Sequence, residues 1–129
     1  MADQRVRCNL TVIRSADLDR AARFYEALGL RLTRHSHGSG PIHYAFEGDG
    51  HTFEIYPLQD SVTPTTSTRI GFSVPSVDDT FARLIEAGGS QSLAPKDSEW
   101  GRRAVVMDPD GHRVELTPSV ETAGNRIGS

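Results

Sequence analysis

Asp49-Gly50-His51-Thr52-Phe53-Glu54-Ile55-Tyr56-Pro57 lies over Asp110-Gly111-His112-Arg113-Val114-Glu115-Leu116-Thr117-Pro118 at an offset of 61 residues, with Asp, Gly, His, Glu and Pro coinciding. Asp17 and Asp78, each placed to open a helix, stand at the same offset. A repeat of this period marks two copies of one supersecondary unit, and it decides the architecture before any single element is assigned.

Working outward, the elements around both copies follow one order. Residues 8–14 read as a strand rich in β-formers. Ser15-Ala16-Asp17 offers a helix cap, and Leu18, Ala21, Ala22, Tyr25 and Leu28 form one apolar stripe ended by Gly29. A strand over 30–36 leads into the Gly38-Ser39-Gly40-Pro41 loop, and strands over 42–47 and 51–57 are joined by Gly48-Asp49-Gly50, a hairpin signal. Residues 58–68, with Pro64 and many Ser and Thr, read as a linker. The grammar then restarts: a strand over 69–74, a helix over 77–87 with Val77, Phe81, Leu84 and Ile85 inward, and Gly88-Gly89 as its stop. An irregular stretch over 90–101 comes next, then strands over 102–107 and 112–117 about the Asp108-Pro109-Asp110-Gly111 turn. Residues 119–129 are polar and glycine-rich and are expected to fray. The fold class is therefore α+β, with module one over 6–57 and module two over 69–118, each βαβββ, in one domain whose curved mixed sheets form a cleft.

Alternation along the strands sorts side chains onto two faces. Tyr44, Phe46, Phe53 and Ile55 suit the helix side, leaving His43, Glu47, Glu54 and Tyr56 opposite; in module two Val114 and Leu116 point to the helix, leaving Arg113, Glu115 and Thr117. A carboxylate in the middle of an apolar strand costs several kcal/mol to bury unless it is paired, protonated or bound to a metal. Its recurrence at Glu54 and Glu115 points to a site, although a solvated sheet face would also accept Glu.

Composition narrows the classes. Hydrophobic residues make up 36% and charged residues 24%, with a net charge of −3 and both signs interspersed. No basic face suggests nucleic acid. Met1–Arg7 is polar and resembles neither a signal peptide nor a span, and no apolar run reaches the roughly 18–20 residues that cross a bilayer. One cysteine, Cys8, can build neither an intrachain disulfide nor a cysteine-rich zinc site, and it reads as an inert thiol. The expected compartment is the cytoplasm. Neither a glycine-rich phosphate loop nor a Gly-x-Ser-x-Gly elbow is present.

The chain resembles the vicinal oxygen chelate superfamily, the glyoxalase I, bleomycin-resistance and extradiol-dioxygenase group. The matching segments are Ile13-Arg14-Ser15-Ala16-Asp17-Leu18 with Ala22-Arg23-Phe24-Tyr25 and Leu28-Gly29-Leu30, then Phe53-Glu54-Ile55-Tyr56, then Asp108-Pro109-Asp110-Gly111-His112 with Val114-Glu115-Leu116. The resemblance implies that metal-using members place one ligand on the first and one on the last strand of each module. Carried over, the last-strand positions are Glu54 and Glu115, while the first-strand positions are Leu10 and Arg69. Leu cannot ligate, and a guanidinium offers no lone pair. The expectation is accordingly no cofactor; a divalent metal on Glu54 and Glu115 belongs to the rival reading. Arg69 fits better as a counter-charge to Glu54, Glu115 or a ligand carboxylate. The resemblance also implies a homodimer in which cleft edges are shared.

Other candidates complete the site. His43 shares the face of Glu54 and is the best placed general base. Tyr56 and Trp100 can stack on a flat ligand. His35 and His37 read as a surface pair, and His51 and His112, just after turns, are expected to face water. The preferred function is metal-independent binding of a small organic molecule, in the manner of bleomycin-resistance-type sequestration. The alternative is a glyoxalase-like lyase or isomerase, or a dioxygenase, using Glu54, Glu115 and a recruited histidine such as His43.

Overall fold

A computed structural model describes residues 5–36 and 38–119. In chain order the first module runs β1 (Leu10–Ser15), α1 (Leu18–Leu28), β2 (Thr33–His35), β3 (His43–Gly48) and β4 (His51–Pro57). The second runs β5 (Arg69–Val74), α2 (Val77–Glu86), β6 (Ser90–Ser98), β7 (Gly101–Met107) and β8 (Arg113–Pro118). The modules form two mixed four-stranded sheets with matching strand orders, β1-β4-β3-β2 and β5-β8-β7-β6. In each, the first strand runs parallel to the last. The tandem βαβββ plan read from the repeat is the plan of the molecule.

Local chemistry explains the element ends. The Asp17 carboxylate accepts the amide of Arg20 and caps α1, and the Ser76 hydroxyl caps α2 through Asp79. Gly29, at φ 121°, lies outside what an L side chain adopts easily, so α1 stops there. The core stripe of α1 is wider than its expected spacing, because Phe24 is buried beside Tyr25. In α2, Val77 and Leu84 are fully inside, joined by the polar Thr80, while Phe81 and Ile85 are only partly covered.

Several boundaries differ from expectation. The stretch over 90–101, read as irregular, is mostly the edge strand β6; its register against β7 shifts between Gln91 and Leu93 and again between Leu93 and Lys96. Pro95 sits in the second shift, where a missing amide hydrogen costs no ladder bond. β1 begins at Leu10, and β2 shrinks to three residues. The fraying expected of the tail concerns residues 120–129, and the proposed His35–His37 pair involves residue 37; both lie outside the described residues.

One continuous apolar core serves both modules. It takes Ile13, Phe53 and Ile55 from the first sheet, Ala104, Val106, Val114 and Leu116 from the second, and both helices between them. Phe53 of β4 meets Phe72 of β5 edge to face at 5.8 Å, and Tyr25 of α1 touches both rings. The helix-side faces of the two sheets thus turn toward each other. Their polar faces, with Glu54 and Glu115, are on the far sides. Within one chain the two polar faces therefore do not confront one another.

Candidate functional site

The polar face of the first sheet is organised by register. Arg14 of β1 stands beside Tyr56 of β4, and His43 of β3 beside His35 of β2. Their side chains continue the row across all four strands. His43 and Tyr56 are parallel rings 4.2 Å apart at 6°, His35 stacks on His43 at 5.5 Å, and the Arg14 guanidinium lies 5.2 Å over Tyr56. This is a ladder of flat, polarisable groups, each contact worth about 0.5–1.5 kcal/mol. The Arg14 guanidinium is further held by the Pro57 carbonyl. Two residues along β4 from Tyr56, the Glu54 carboxylate reaches to 4.0 Å from His43 Nε2, and His43 is almost wholly buried. The expected grouping of His43, Glu54 and Tyr56 is therefore realised; Arg14, which was not singled out, joins it, and so does His35, which was read as half of a surface pair. Cross-strand register would have found them, since both fall in the row of Tyr56 and His43.

The second polar face is built on charge. Arg69 of β5 donates Nε to Glu115 Oε2 at 3.0 Å and adds a second bond from its terminal nitrogen. Arg103 of β7 donates to Glu115 Oε1 at 3.2 Å. These guanidiniums, Arg69 foremost, hold the Glu115 carboxyl below its ordinary range against the opposing pull of burial. Arg113 is the register partner of Arg69. With Leu93 and Val105, these residues line an open cavity of about 300 Å³ to which the first module contributes nothing. Arg69 is thus a counter-charge to Glu115, one of the three partners expected for it. Trp100 stands apart at the β6–β7 turn, 80% exposed. A second cavity, of about 410 Å³, lies along β5 beside β4, lined by Phe53, Ile70 and Phe72 with His51 at its rim and reached by Arg69 and Gly71 as well.

The two turn histidines do not face water as expected. His112 is fully buried: its Nδ1 is 2.8 Å from Asp108 Oδ2, and its Nε2 is 2.7 Å from the Thr65 hydroxyl. His51 is half-buried, with Nε2 2.8 Å from the Thr11 hydroxyl and Nδ1 3.0 Å from the Cys8 carbonyl. Alternation supplies the signal that was passed over. Both histidines fall two residues before a core residue, Phe53 or Val114, and so lie on the helix side.

Residues 7–116 match the Glyoxalase/Bleomycin resistance protein/Dioxygenase superfamily. The chain belongs to that superfamily. Among solved structures, it is similar to TnmS3, an antibiotic binding protein from Streptomyces sp. CB03234, at 28% identity and a TM-score of 0.70, covering 88% of this chain and 97% of that one. It is similar to the oxidase ChaP-H2 at 26% identity and a TM-score of 0.66, covering 88% and 94%. A glyoxalase-related enzyme from Fulvimarina pelagi shares the fold at 23% identity and a TM-score of 0.70, covering 88% of each chain. No curated protein matches. No helix among the described residues is long and apolar enough to cross a membrane.

The superfamily's metal chemistry can be tested against the donors present. Leu10 is 51% exposed and has no donor atom, and Arg69 is a cation at the other first-strand position. Both oxygens of Glu115 already accept from guanidiniums. Among the described residues no three His, Cys, Asp or Glu side chains gather closely enough to hold an ion. A site of this kind usually needs at least three protein ligands. The residues of one chain do not fit the group.

Proposed function

We propose that this protein holds a small, flat organic molecule and releases it unchanged, in a cleft lined by the first polar face of one chain and the second polar face of another. The observation that carries this reading is the Arg14–Tyr56–His43–His35 ladder, which holds a row of flat, polarisable groups in fixed positions across the polar face, so that a ligand lying on that face meets their exposed edges. The proposed homodimer is supported by two features: the two polar faces of one chain point apart, and β1 and β5 are edge strands of their sheets. The likeness to an antibiotic binding protein at 28% identity supports capture of a small molecule. Tyr56, Arg69 and Trp100 are the proposed contacts, and His43, almost wholly buried, backs Tyr56 from behind. Glu54 acts here as a neighbour of His43, with no metal assigned to it.

The second reading is catalytic, and the likeness to an oxidase at 26% identity favours it. In it Glu54 and Glu115, brought together from two chains, hold a divalent metal with His43, and the reaction is that of a lyase, isomerase or dioxygenase. One experiment separates the two. Protein purified without chelator is analysed for metal and then titrated by calorimetry with planar aromatics, including catechols and aromatic antibiotics, in wild type and Tyr56→Ala. The proposal expects binding without turnover, weakened about tenfold by Tyr56→Ala. Near-stoichiometric zinc, nickel, manganese or iron that is lost in Glu54→Gln would sink it.

A further inference from the structure

The second polar face carries more positive charge than its folding requires. Arg69 and Arg113 are direct partners on neighbouring strands, a placement that is destabilising for like charges unless an anion sits between or above them. Arg103 approaches from the third strand, so two guanidiniums hold the single carboxylate of Glu115 while a third, that of Arg113, lines the same cavity. The Arg113 side chain enters no ion pair found among the described residues. Beside Glu115 on the edge strand stands Gly71, and a Cβ built there meets nothing within 4 Å. Open room and surplus cation therefore adjoin one another: the arginines line the cavity of about 300 Å³, Gly71 lines the neighbouring one of about 410 Å³, and Arg69 lines both.

We infer that this face is an organic-anion site in which Glu115 is the resident competitor: its carboxylate occupies Arg69 and Arg103 until the carboxylate or phosphate of a ligand takes its place, with Arg113 as the additional cation. The inference rests on the binding reading above and names the class of molecule bound, a planar compound bearing an anionic group. The chemistry is that of paired guanidiniums, which present planar forks to carboxylate and phosphate alike. Glu115 keeps the forks oriented in the empty protein, so the incoming anion meets donors already in place. It also sets a threshold, because a neutral ligand gains nothing by displacing a carboxylate from two cations.

Matched probes test this. Affinities for 2-naphthoate, 2-naphthyl phosphate and neutral 2-naphthamide are measured by calorimetry on wild type, Glu115→Gln, Arg113→Gln and Gly71→Val. At least one anion is expected to bind about tenfold tighter than the amide, and which of the two does so tells carboxylate from phosphate recognition. Glu115→Gln is expected to widen that advantage by about a further tenfold, because it removes the competitor while keeping the side-chain shape. Arg113→Gln, at an exposed position outside any found ion pair, is expected to narrow it, and Gly71→Val to weaken the anions by filling the space beside Glu115. If the amide binds as well as both anions in wild type and in Glu115→Gln, the inference fails while the binding reading stands. If anion binding weakens in Glu115→Gln, Glu115 is a contact and the competitor role fails. If no probe binds any variant, both fall.

Discussion

Two turns begin from the same residues and end in opposite surroundings. In the first module, Asp49 and Gly50, both at positive φ, close a two-residue hairpin in which Gly48 pairs with His51. His51 is then the first residue of a strand, held at the rim by a hydroxyl and a backbone carbonyl. In the second module the last ladder pair is Met107 with Arg113, so five residues make the turn and His112 lies within it. Asp108 organises that longer loop. Its Oδ1 accepts the amides of Asp110 and His112, and its Oδ2 accepts the Tyr25 hydroxyl and the His112 ring. Asp110 then reaches the first module through Ser15, Ala16 and Arg20. Three extra turn residues thus convert a hairpin into a polar clasp between modules. The repeat specifies the strands; the turn length specifies which copy of the histidine is structural.

The sharpest way to break this comparison is to delete each histidine in turn. His112→Ala is expected to cost about 3 kcal/mol or more, because it opens a buried void and strips a partner from both Asp108 and the Thr65 hydroxyl. His51→Ala removes half-buried bonds at the rim and is expected to cost about 1 kcal/mol. Urea unfolding at constant m-value measures both. Equal losses would mean that the clasp is no more structural than the hairpin.

Acid should separate the clasp by a second route. Burial alone would raise the Asp108 carboxyl, but hydrogen bonds from His112 and Tyr25 outweigh it and hold the group below its usual range. A carboxyl lowered in the folded state contributes stability that is complete above its unfolded value, roughly pH 4, and is lost as pH falls through the folded value. Asp108→Asn is therefore expected to lower stability by about 2 kcal/mol at pH 7 and to flatten its decline in acid. Melting temperatures between pH 7 and 3 check this; an unchanged acid slope in Asp108→Asn would place the titrating group elsewhere. The ionised Asp108 also requires His112 Nδ1 to carry the proton it shares with Oδ2, which fixes the ring's orientation toward the Thr65 hydroxyl.

How much of this was legible follows from the range of each interaction. The helix at Leu18–Leu28 and the strand at Arg69–Val74 stand where periodicity put them, because apolar stripes and alternation act within a few residues. The Tyr56–His43 pairing was also readable, since a two-residue turn fixes hairpin register. The orientation of the two polar faces was not, because it rests on Phe53 meeting Phe72 and on Tyr25 reaching Asp108, contacts between modules with no local signature. β6 was hidden by Pro95 and its bulges. Arg113 was placed on the face of Glu115 by alternation alone, whereas Arg103 had no sequence signal and reaches Glu115 only through the pairing of β7 with β8.

The smallest effect is expected at Trp100, one of the two aromatic residues proposed to meet ligand, and set beside Tyr56 it compares the modules once more. Tyr56 is sandwiched between His43 and Arg14, so Tyr56→Ala removes two contacts and some buried area, an expected loss of about 1–2 kcal/mol. Trp100 projects from the β6–β7 turn with 80% of its surface in water, so Trp100→Ala should change stability by no more than about 0.5 kcal/mol. A large apolar ring held in solvent gains nothing for the isolated fold. Thermal melts of the two variants test that division directly. A Trp100→Ala loss as large as that of Tyr56→Ala would show Trp100 to be packed in the assembled protein, and the open turn of the second module would then belong to an interface between copies and no longer to the ligand.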